Sequence, residues 1–173
     1  YNQSEFVEKA IDSILKQSFK GFEFIIVDDN SDIQTRDILK KITDKKIALL
    51  TNRKRQGLTK SLNKALKRAK GKYIARMDAD DIALRNRFKV QYEFLEKHSQ
   101  TAVCGTAVDL INIKGKKIGV KRYPAGYKRI RQVLMRFNPI IHPSVMVRKK
   151  TIDELGKYDE GLNGAEDYDL WLR

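Results

Sequence analysis

The sequence predicts an α/β fold in which helices cover both faces of a central, mainly parallel β-sheet. Helical and strand patterns alternate along residues 1–100, which is typical of βαβ units. The strand patterns are short runs of β-branched and aromatic residues without polar alternation, as expected for strands buried on both faces. The 173 residues are 41% hydrophobic, which is enough for a single domain with a substantial core over residues 1–173.

The first half contains seven predicted elements. The first is a helix from about Glu5 to Gln17, which Ser4 can cap. The others follow in alternation: strand "FEFIIV", helix 35–43, strand "KIALL", helix "GLTKSLNKALKRAKG", strand "KYIARM" and helix "RNRFKVQYEFLEKH". A sheet of this type normally opens with a strand, so we expect that the chain is clipped just after its first strand.

The pattern changes after Ala102. A strand, a Lys-Gly turn and a second strand are predicted in "DLINIKGKKIGVKRY", followed by a basic helix at "KRIRQVLMRF". "SVMVRKK" predicts another strand, and "EDYDLWLR" predicts a helix. The single cysteine, Cys104, excludes an internal disulfide bond and suits a reducing compartment.

The net charge of +14 is distributed unevenly. Lysine and arginine accumulate between Leu110 and Ile152, where the sequence contains no aspartate or glutamate. A solvated basic face explains this distribution as well as a surface for anionic lipid or a phosphate-bearing substrate. A nucleic-acid-binding module is a further alternative, but aromatic residues are not interleaved at base-stacking spacing, so we expect no nucleic-acid partner.

Two of the predicted strands end in clusters of carboxylates, "DDNSD" and "DADD". Ligands of open parallel sheets bind beyond the carboxyl ends of the strands, so these acids should share one edge: Asp28, Asp29, Asp78, Asp80 and Asp81. Such a group of like charges needs compensation, and Mg²⁺ or Mn²⁺ binds carboxylates together with water and substrate phosphates. Each cluster alone also fits a turn or a helix cap.

A third acidic cluster, in "GAEDYDLWLR", begins the last predicted helix. Glu166, Asp167 and Asp169 would complement the helix dipole there. The functional alternative is that one of these carboxylates projects into a cleft and acts as a general base.

Six segments stand in the order expected of family 2 glycosyltransferases: "YN", "IIVDDNSD", "GLTKSLNKAL", "GKYIARMDADD", "HPSVMVRK" and "EDYDLWLR". The chain resembles this family over essentially its whole length. The resemblance implies a Rossmann-like GT-A fold with a nucleotide-sugar-binding half, residues 1–100, and a truncated acceptor-binding half, residues 101–173. It also implies inverting transfer from a nucleoside diphosphate sugar, most often a UDP-sugar, with Mg²⁺ or Mn²⁺.

The resemblance implies roles for the donor-side residues. Asp29 resembles the residue that accepts a hydrogen bond from the donor's base, with Asp28 beside it and Tyr1 near the base. Asp78 and Asp80 resemble the two acids of the Asp-x-Asp motif. The first would contact the ribose and metal-bound water, and the second would bind the metal on the diphosphate.

The resemblance also implies roles on the acceptor side. Asp167 resembles the catalytic base that deprotonates the acceptor hydroxyl, and Glu166 and Trp171 would belong to the acceptor pocket. His142 occupies the position of a pocket residue, although a core histidine explains it as well. The phosphate-binding arginine of the family has no clear counterpart, so Lys60 or Arg55 would take that role.

The implied acceptor is a glycan or lipid-linked hydroxyl in bacterial surface-polysaccharide synthesis. A cytoplasmic enzyme on the inner face of the plasma membrane would explain the basic stretch Lys114–Arg136.

Two alternative protein classes share parts of this sequence pattern. A receiver-like phosphotransfer domain has paired acids but expects Lys-Pro and Met-Pro pairs that this chain lacks. A Mg²⁺-dependent nucleotidyltransferase does not need the acidic helix start at "EDYD".

Overall fold

The computed structural model describes residues 1–162 and 164–173. The first half contains α1 (Val7–Leu15), β1 (Phe24–Asp28), α2 (Ile33–Lys41), β2 (Ile47–Thr51), α3 (Leu58–Arg68), β3 (Tyr73–Ala75) and α4 (Arg87–Lys97). The second half contains β4 (Val103–Cys104), β5 (Val108–Ile111), β6 (Lys117–Lys121), α5 (Tyr127–Leu134), a 3₁₀ turn (His142–Ser144), β7 (Met146–Arg148), α6 (Lys149–Glu154) and α7 (Glu166–Leu172). Every predicted element is present, and α6 is an addition because the sequence pattern assigned its first residues to the preceding strand.

Helix α1 begins later than predicted. Its N-cap is Phe6, and no side chain caps it. The backbone N–H groups of Phe6 and Val7 both donate to the carbonyl of Gln3. The predicted cap by Ser4 is therefore wrong, because a backbone carbonyl of the preceding turn already accepts the hydrogen bonds that a cap would accept.

Pairing of the strands is mixed. Strands β1 and β2 are parallel, in register from Phe24 opposite Ile47 to Asp28 opposite Thr51. Strand β7 lies between β3 and β4 and is antiparallel to both, and β5 and β6 form an antiparallel hairpin. The α/β architecture is as predicted, and the antiparallel strand β7 between β3 and β4 is the feature that the sequence pattern did not predict. Parallel neighbours in a sheet are usually joined by a single crossover helix. The connection from β3 to β7 is much longer and contains α4, β4, the β5–β6 hairpin and α5.

Helices cover both faces of the three-stranded sheet. Alternate residues of β3 belong to different core clusters, since Tyr73 and Ala75 pack near α4 whereas Ile74 packs near α3 and α7. Strand β7 behaves in the same way, with Met146 in the first cluster and Val147 in the second. This alternation explains why the strands read as continuous apolar runs.

Strands β1 and β3 run in the same direction. The Glu23 carboxylate, just before β1, accepts hydrogen bonds from the backbone N–H groups of Lys70 and Gly71, just before β3. Because the two strands begin side by side, their carboxyl ends lie at the same edge. Ala79, which follows β3, packs in the same apolar cluster as Ile26 of β1, and both strands line an apolar cleft of about 750 Å³.

None of the helices in residues 1–162 and 164–173 is both long and apolar enough to span a lipid bilayer.

Candidate active site

The antiparallel pairing of β3 and β7 builds the site. Ala75 lies opposite Met146, and the backbone N–H of Arg76 donates to the carbonyl of Val145 over 3.0 Å. The residues that follow β3 therefore lie beside the residues that precede β7. Arg87 braces this junction, because its Nη2 donates to the carbonyls of Arg76, at 2.6 Å, and Val145, at 3.1 Å.

The acids that follow β3 form a compact cluster. One carboxylate oxygen from each of Asp78, Asp80 and Asp81 lies within 4.8 Å of the others. The buried Arg76 guanidinium makes two contacts with the Asp78 carboxylate, at 2.5 and 2.8 Å. Burial raises the pKa of Asp81, and the negative charges of Asp78 and Asp80 raise it further. Arg76 therefore compensates part of the negative charge, and repulsion among the three acids remains.

This cluster fits a divalent cation. Carboxylate oxygens are the ligands that Mg²⁺ and Mn²⁺ prefer, and three of them converge here. Asp80 is exposed, and within residues 1–162 and 164–173 its carboxylate makes no hydrogen bond or ion pair with the protein. Asp78 already has a partner in Arg76. Asp80 is thus the side chain most available to a metal ion, as the Asp-x-Asp resemblance implies.

Asp29 holds a loop of the protein. Its Oδ1 accepts hydrogen bonds from Asn52 Nδ2, at 2.7 Å, and from the Gln56 N–H, at 2.8 Å, while its Oδ2 accepts from the Gly57 N–H at 2.8 Å. Burial raises the pKa of Asp29, but these three hydrogen bonds outweigh it, and the pKa is lowered. A carboxylate has about four acceptor positions, so one position remains for a ligand.

The segment "DDNSD" also makes a turn and a cap, as the structural alternative predicts. Buried Asp28 accepts a hydrogen bond from the Ser31 N–H at 3.0 Å. Asp32 caps α2 by accepting from the Thr35 N–H at 2.8 Å. Asp28 therefore shapes the loop that follows β1, and its carboxylate, which accepts one hydrogen bond there, keeps acceptor positions as that of Asp29 does.

Tyr1 lies beside the loop that follows β1. The backbone N–H of Asn2 donates to Ser31 Oγ at 3.2 Å, and Asn2 Oδ1 accepts from the Asp32 N–H at 2.8 Å. The Arg55 guanidinium stacks on the Tyr1 ring, 4.2 Å from its centroid. This arrangement puts an aromatic ring and a cation next to the Asp29 loop, while Lys60 is exposed in the first turn of α3.

Asp167 is held from two sides. Its Oδ2 accepts a hydrogen bond of 2.8 Å from Asn138 Nδ2, and its Oδ1 accepts from the Tyr168 N–H at 2.8 Å. His142 Nδ1 is 3.9 Å from Asp167 Oδ2. The side chain of Asp167 is 18% exposed, so it is partly accessible from the solvent. Asn138 was not predicted, since an Asn-Pro pair in one sequence indicates only a turn.

His142 is buried and neutral. Burial, with the positive charge of Arg76, lowers its pKa to about 3, so the 3.9 Å approach to Asp167 is not an ion pair at neutral pH. His142 Nε2 is 2.8 Å from the Tyr158 hydroxyl. Burial raises the pKa of Tyr158, so this hydroxyl keeps its proton and can donate it to Nε2. The His142 proton then lies on Nδ1, on the side of Asp167.

The other two predicted acceptor-side residues are less accessible. Glu166 is buried, and its Oε2 accepts a hydrogen bond from the Gly164 N–H at 2.8 Å. One carboxylate oxygen of Glu166 also lies within 4.8 Å of a ring nitrogen of His142 and of a carboxylate oxygen of Asp167. Trp171 packs in the core with its ring edge-on to His142, 6.0 Å between centroids. Trp171 thus supports the histidine, and its role in an acceptor pocket stays a prediction.

Arg76 connects the two acidic groups. Its guanidinium pairs with Asp78, and its charge is close enough to lower the pKa of His142, which neighbours Asp167. Arg76 therefore lies between Asp78 and His142, and through His142 it is near Asp167.

Solved structures share this architecture. The chain superimposes on the crystal structure of Staphylococcus aureus TarS residues 1–349 with a TM-score of 0.75 and 23% identity, over 97% of this chain and 51% of that one. It superimposes on the mannosyltransferase PcManGT from Pyrobaculum calidifontis, solved with GDP-Man and Mn²⁺, with a TM-score of 0.70 and 20% identity, over 98% and 48%. These similarities show that the fold is GT-A.

Sequence comparisons identify the family. The chain is 37% identical over 180 residues to the uncharacterized glycosyltransferase MJ1057 of Methanocaldococcus jannaschii, and 36% identical over 176 residues to the O-antigen biosynthesis glycosyltransferase WbnJ of Escherichia coli. All of this chain is covered, and it spans 61% and 68% of those relatives. The amylovoran biosynthesis glycosyltransferase AmsE of Erwinia amylovora is 32% identical over 180 residues, all of this chain and 66% of AmsE. The profile of "Glycosyl transferase family 2" matches residues 1–156, and the chain therefore belongs to that family.

Proposed function

We propose that the intact protein transfers a sugar from a nucleoside diphosphate sugar to an acceptor hydroxyl, with inversion at the anomeric carbon. Membership of glycosyl transferase family 2 supports this activity over nucleotidyl transfer, receiver-like phosphotransfer and nucleic-acid binding. The names of WbnJ and AmsE support a role in cell-surface polysaccharide synthesis.

The observation that carries the proposal is the junction of β3 with β7. It brings the acids that follow Arg76 next to the segment that contains His142. His142 in turn lies 3.9 Å from Asp167. A donor bound at the first group of acids would thus expose its sugar to a carboxylate on the second. We propose that residues 1–100 bind the donor and residues 101–173 bind the acceptor.

The donor-side residues have separate tasks in this proposal. Asp80 and Asp78 would hold Mg²⁺ or Mn²⁺, which stabilises the negative charge that develops on a leaving diphosphate. Asp29 would use its remaining acceptor position to bind the base of the nucleotide, with Tyr1 beside that base. The hydrogen bonds that Asp29 already makes keep its carboxylate ionised and fixed in orientation.

The acceptor-side residues carry out the proton transfer. Asp167 would accept the proton of the acceptor hydroxyl while the hydroxyl oxygen bonds to the anomeric carbon. The bond from that carbon to the diphosphate breaks, and the nucleoside diphosphate leaves with the electron pair. Attack opposite the leaving group inverts the anomeric centre. Asn138 and neutral His142 would keep the carboxylate in place without adding a positive charge beside it.

We propose a UDP-sugar as the donor, because uridine nucleotides are the commonest donors in the family that this chain resembles. The TarS structure in complex with UDP-GlcNAc supports this choice, whereas the PcManGT structure with GDP-Man makes a guanosine nucleotide the alternative to test. The acceptor would be a glycan or a lipid-linked hydroxyl. The enzyme would act in the cytoplasm, at the inner face of the plasma membrane.

Thermal unfolding of the intact protein with a panel of UDP-, GDP- and dTDP-sugars tests the donor site, with each sugar present with and without Mn²⁺. A ligand that binds only the folded state raises Tm, so we expect one nucleotide class to raise Tm in a metal-dependent manner.

The same donor should release its nucleoside diphosphate in the presence of a surface-glycan extract. The Asp167→Asn variant should lose this release, and the control Asp169→Asn, two residues further along the same helix, should keep it. Absence of a Tm shift with every nucleotide sugar would refute the proposal.

A further inference from the structure

The chain carries a strongly basic surface outside the site described above. We name the segment Val108–Phe137, which contains β5, β6 and α5, the hairpin–α5 surface. Nine basic side chains of this surface are exposed: Lys114, Lys116, Lys117, Lys121, Arg122, Lys128, Arg129, Arg131 and Arg136. Its single acid, Asp109, forms an ion pair of 2.7 Å with Lys117. The surface therefore keeps a large excess of positive charge.

Large apolar side chains are exposed on the same surface. In the hairpin these side chains are between 41 and 67% exposed: Leu110, Ile111, Ile113, Ile118 and Val120. At the two ends of α5, Tyr127 is 74% exposed and Met135 is 78% exposed. A group of exposed apolar side chains within one short segment is typical of a binding surface.

The hairpin and α5 form one continuous surface. Lys121, at the end of β6, places its ammonium group 5.2 Å from the centroid of the Tyr123 ring. The Tyr123 ring in turn packs against Phe137, which follows α5, with 6.0 Å between centroids. Within α5, Ile130 and Leu134 are half-buried and face the protein, so the basic side chains of the helix lie on its solvent side.

We propose that the hairpin–α5 surface docks onto an anionic lipid bilayer. Clustered lysine and arginine are attracted to the negative charge of such a bilayer, and apolar side chains among them enter the boundary between head groups and acyl chains. Nucleic acid matches the charge equally well but has no place for exposed isoleucine side chains. The combination of charge and apolar exposure therefore favours a membrane over a nucleic acid.

The surface adjoins the candidate base. The Tyr168 hydroxyl donates to the carbonyl of Leu134, the last residue of α5, over 2.5 Å. Asn138, directly after the surface, donates to Asp167. Docking would therefore bring the acceptor side of the site to the head-group region. This part of the inference rests on the proposed function, and it makes a lipid-linked hydroxyl the acceptor class.

Co-sedimentation of the intact protein with vesicles tests the docking surface without any donor or turnover. Vesicles of phosphatidylcholine are compared with vesicles that also contain phosphatidylglycerol. The test variant combines Lys128→Gln, Arg129→Gln, Arg131→Gln and Arg136→Gln. The control combines Lys9→Gln, Lys16→Gln, Lys40→Gln and Lys41→Gln, which are exposed on α1, at its C-cap and on α2, and which change the net charge equally.

We expect the wild type to bind the anionic vesicles only. The affinity for these vesicles should fall about fivefold for each side chain removed in the test variant, and much less in the control. A second variant, Ile113→Ser with Ile118→Ser, should lose the binding that persists at high salt. Circular dichroism and Tm establish that each variant is folded.

Four results would overturn the inference: no binding to the anionic vesicles, equal losses in the test variant and the control, tighter binding of duplex DNA than of anionic vesicles, or protection of an Ile113→Cys thiol from labelling without vesicles. The last result would mean that another part of the protein covers the surface. Failure of vesicle binding leaves the Tm shift with nucleotide sugars intact, so the inference and the proposed function fail separately.

Discussion

The side-chain amide of Asn138 donates a hydrogen bond of 2.8 Å to Oδ2 of Asp167. The Tyr168 N–H holds the other oxygen of the same carboxylate, so the orientation of Asp167 is fixed on both sides. Neutral His142 approaches Oδ2 without forming an ion pair. A carboxylate that is oriented but not neutralised by a cation is suited to act as a base, and Asn138 is the residue that positions it.

Asn138→Ala should lower turnover while leaving donor binding unchanged, because Asn138 lies on the acceptor side. Loss of orientation at a reacting group can cost up to about 10²-fold in rate. Steady-state kinetics and titration calorimetry of the donor measure the two quantities separately. The control is Asn86→Ala, since Asn86 is exposed and its side chain does not cap α4. A parallel loss of donor affinity would show that Asn138 has a general structural role.

Asn138→Asp should move the pH profile of turnover. A second carboxylate in hydrogen-bonding distance of Asp167 raises the pKa of the pair, because two like charges disfavour full ionisation. The acid limb of the kcat profile should shift to higher pH, with little change at alkaline pH. An unshifted limb would mean that Asp167 is not the group whose ionisation the rate requires.

Asp29→Ala should destabilise the protein by about 3 kcal/mol, because three hydrogen bonds to an ionised group are lost and their donors are partly buried. Urea unfolding measures this free energy. Asp37→Ala, which removes an exposed ion pair with Lys40, should cost less than about 1 kcal/mol.

The contribution of Asp29 to the free energy of unfolding should depend on pH. The folded-state pKa of Asp29 is lowered, so this stability is present at neutral pH and is lost as the pH falls through the carboxyl range. A difference in unfolding free energy between wild type and Asp29→Ala that stays constant at low pH would contradict this assignment.

His142→Gln should make the stability less sensitive to acid. The folded-state pKa of His142 is lowered from 6.5 to about 3, so between these values the unfolded state binds a proton that the folded state does not. Stability therefore decreases as the pH falls through this window, by at most about 1.4 kcal/mol per pH unit. Glutamine lacks this titration and can still accept from Tyr158. Unfolding free energies of wild type and variant should converge on acidification, whereas His98→Gln, at an exposed position, should parallel the wild type.

Much of the fold could be predicted because its signals are local. The apolar run of β1 and the amphipathic pattern of α3 lie close to the observed bounds. The direction of β7 could not be predicted, since a strand of three residues has the same pattern in either direction. The cap of α1 was wrong for a similar reason: whether Ser4 or the carbonyl of Gln3 accepts the hydrogen bonds depends on backbone geometry.

The residues of the candidate site were likewise predictable only where their signal is local. The acids after β1 and β3 were visible because they follow apolar strands directly. The contact of Asn138 with Asp167 joins residues that are 29 positions apart, so no local sequence pattern predicts it. Arg76, which pairs with Asp78, stands two residues before it in the sequence. The strand pattern does not predict that the Arg76 side chain is buried.

The most direct test of the account is titration calorimetry of the nucleotide-sugar donor with Mn²⁺, performed on the intact wild type, Asp80→Asn, Asp167→Asn and the control Asp12→Asn. Loss of a group that only supports a metal ligand costs roughly 10–100-fold in affinity, so losing Asp80 should weaken metal-dependent binding by at least about tenfold. Asp167→Asn should bind the donor as the wild type does while its turnover falls roughly 10²–10⁴-fold. Unchanged, metal-dependent donor binding by Asp80→Asn would contradict the account.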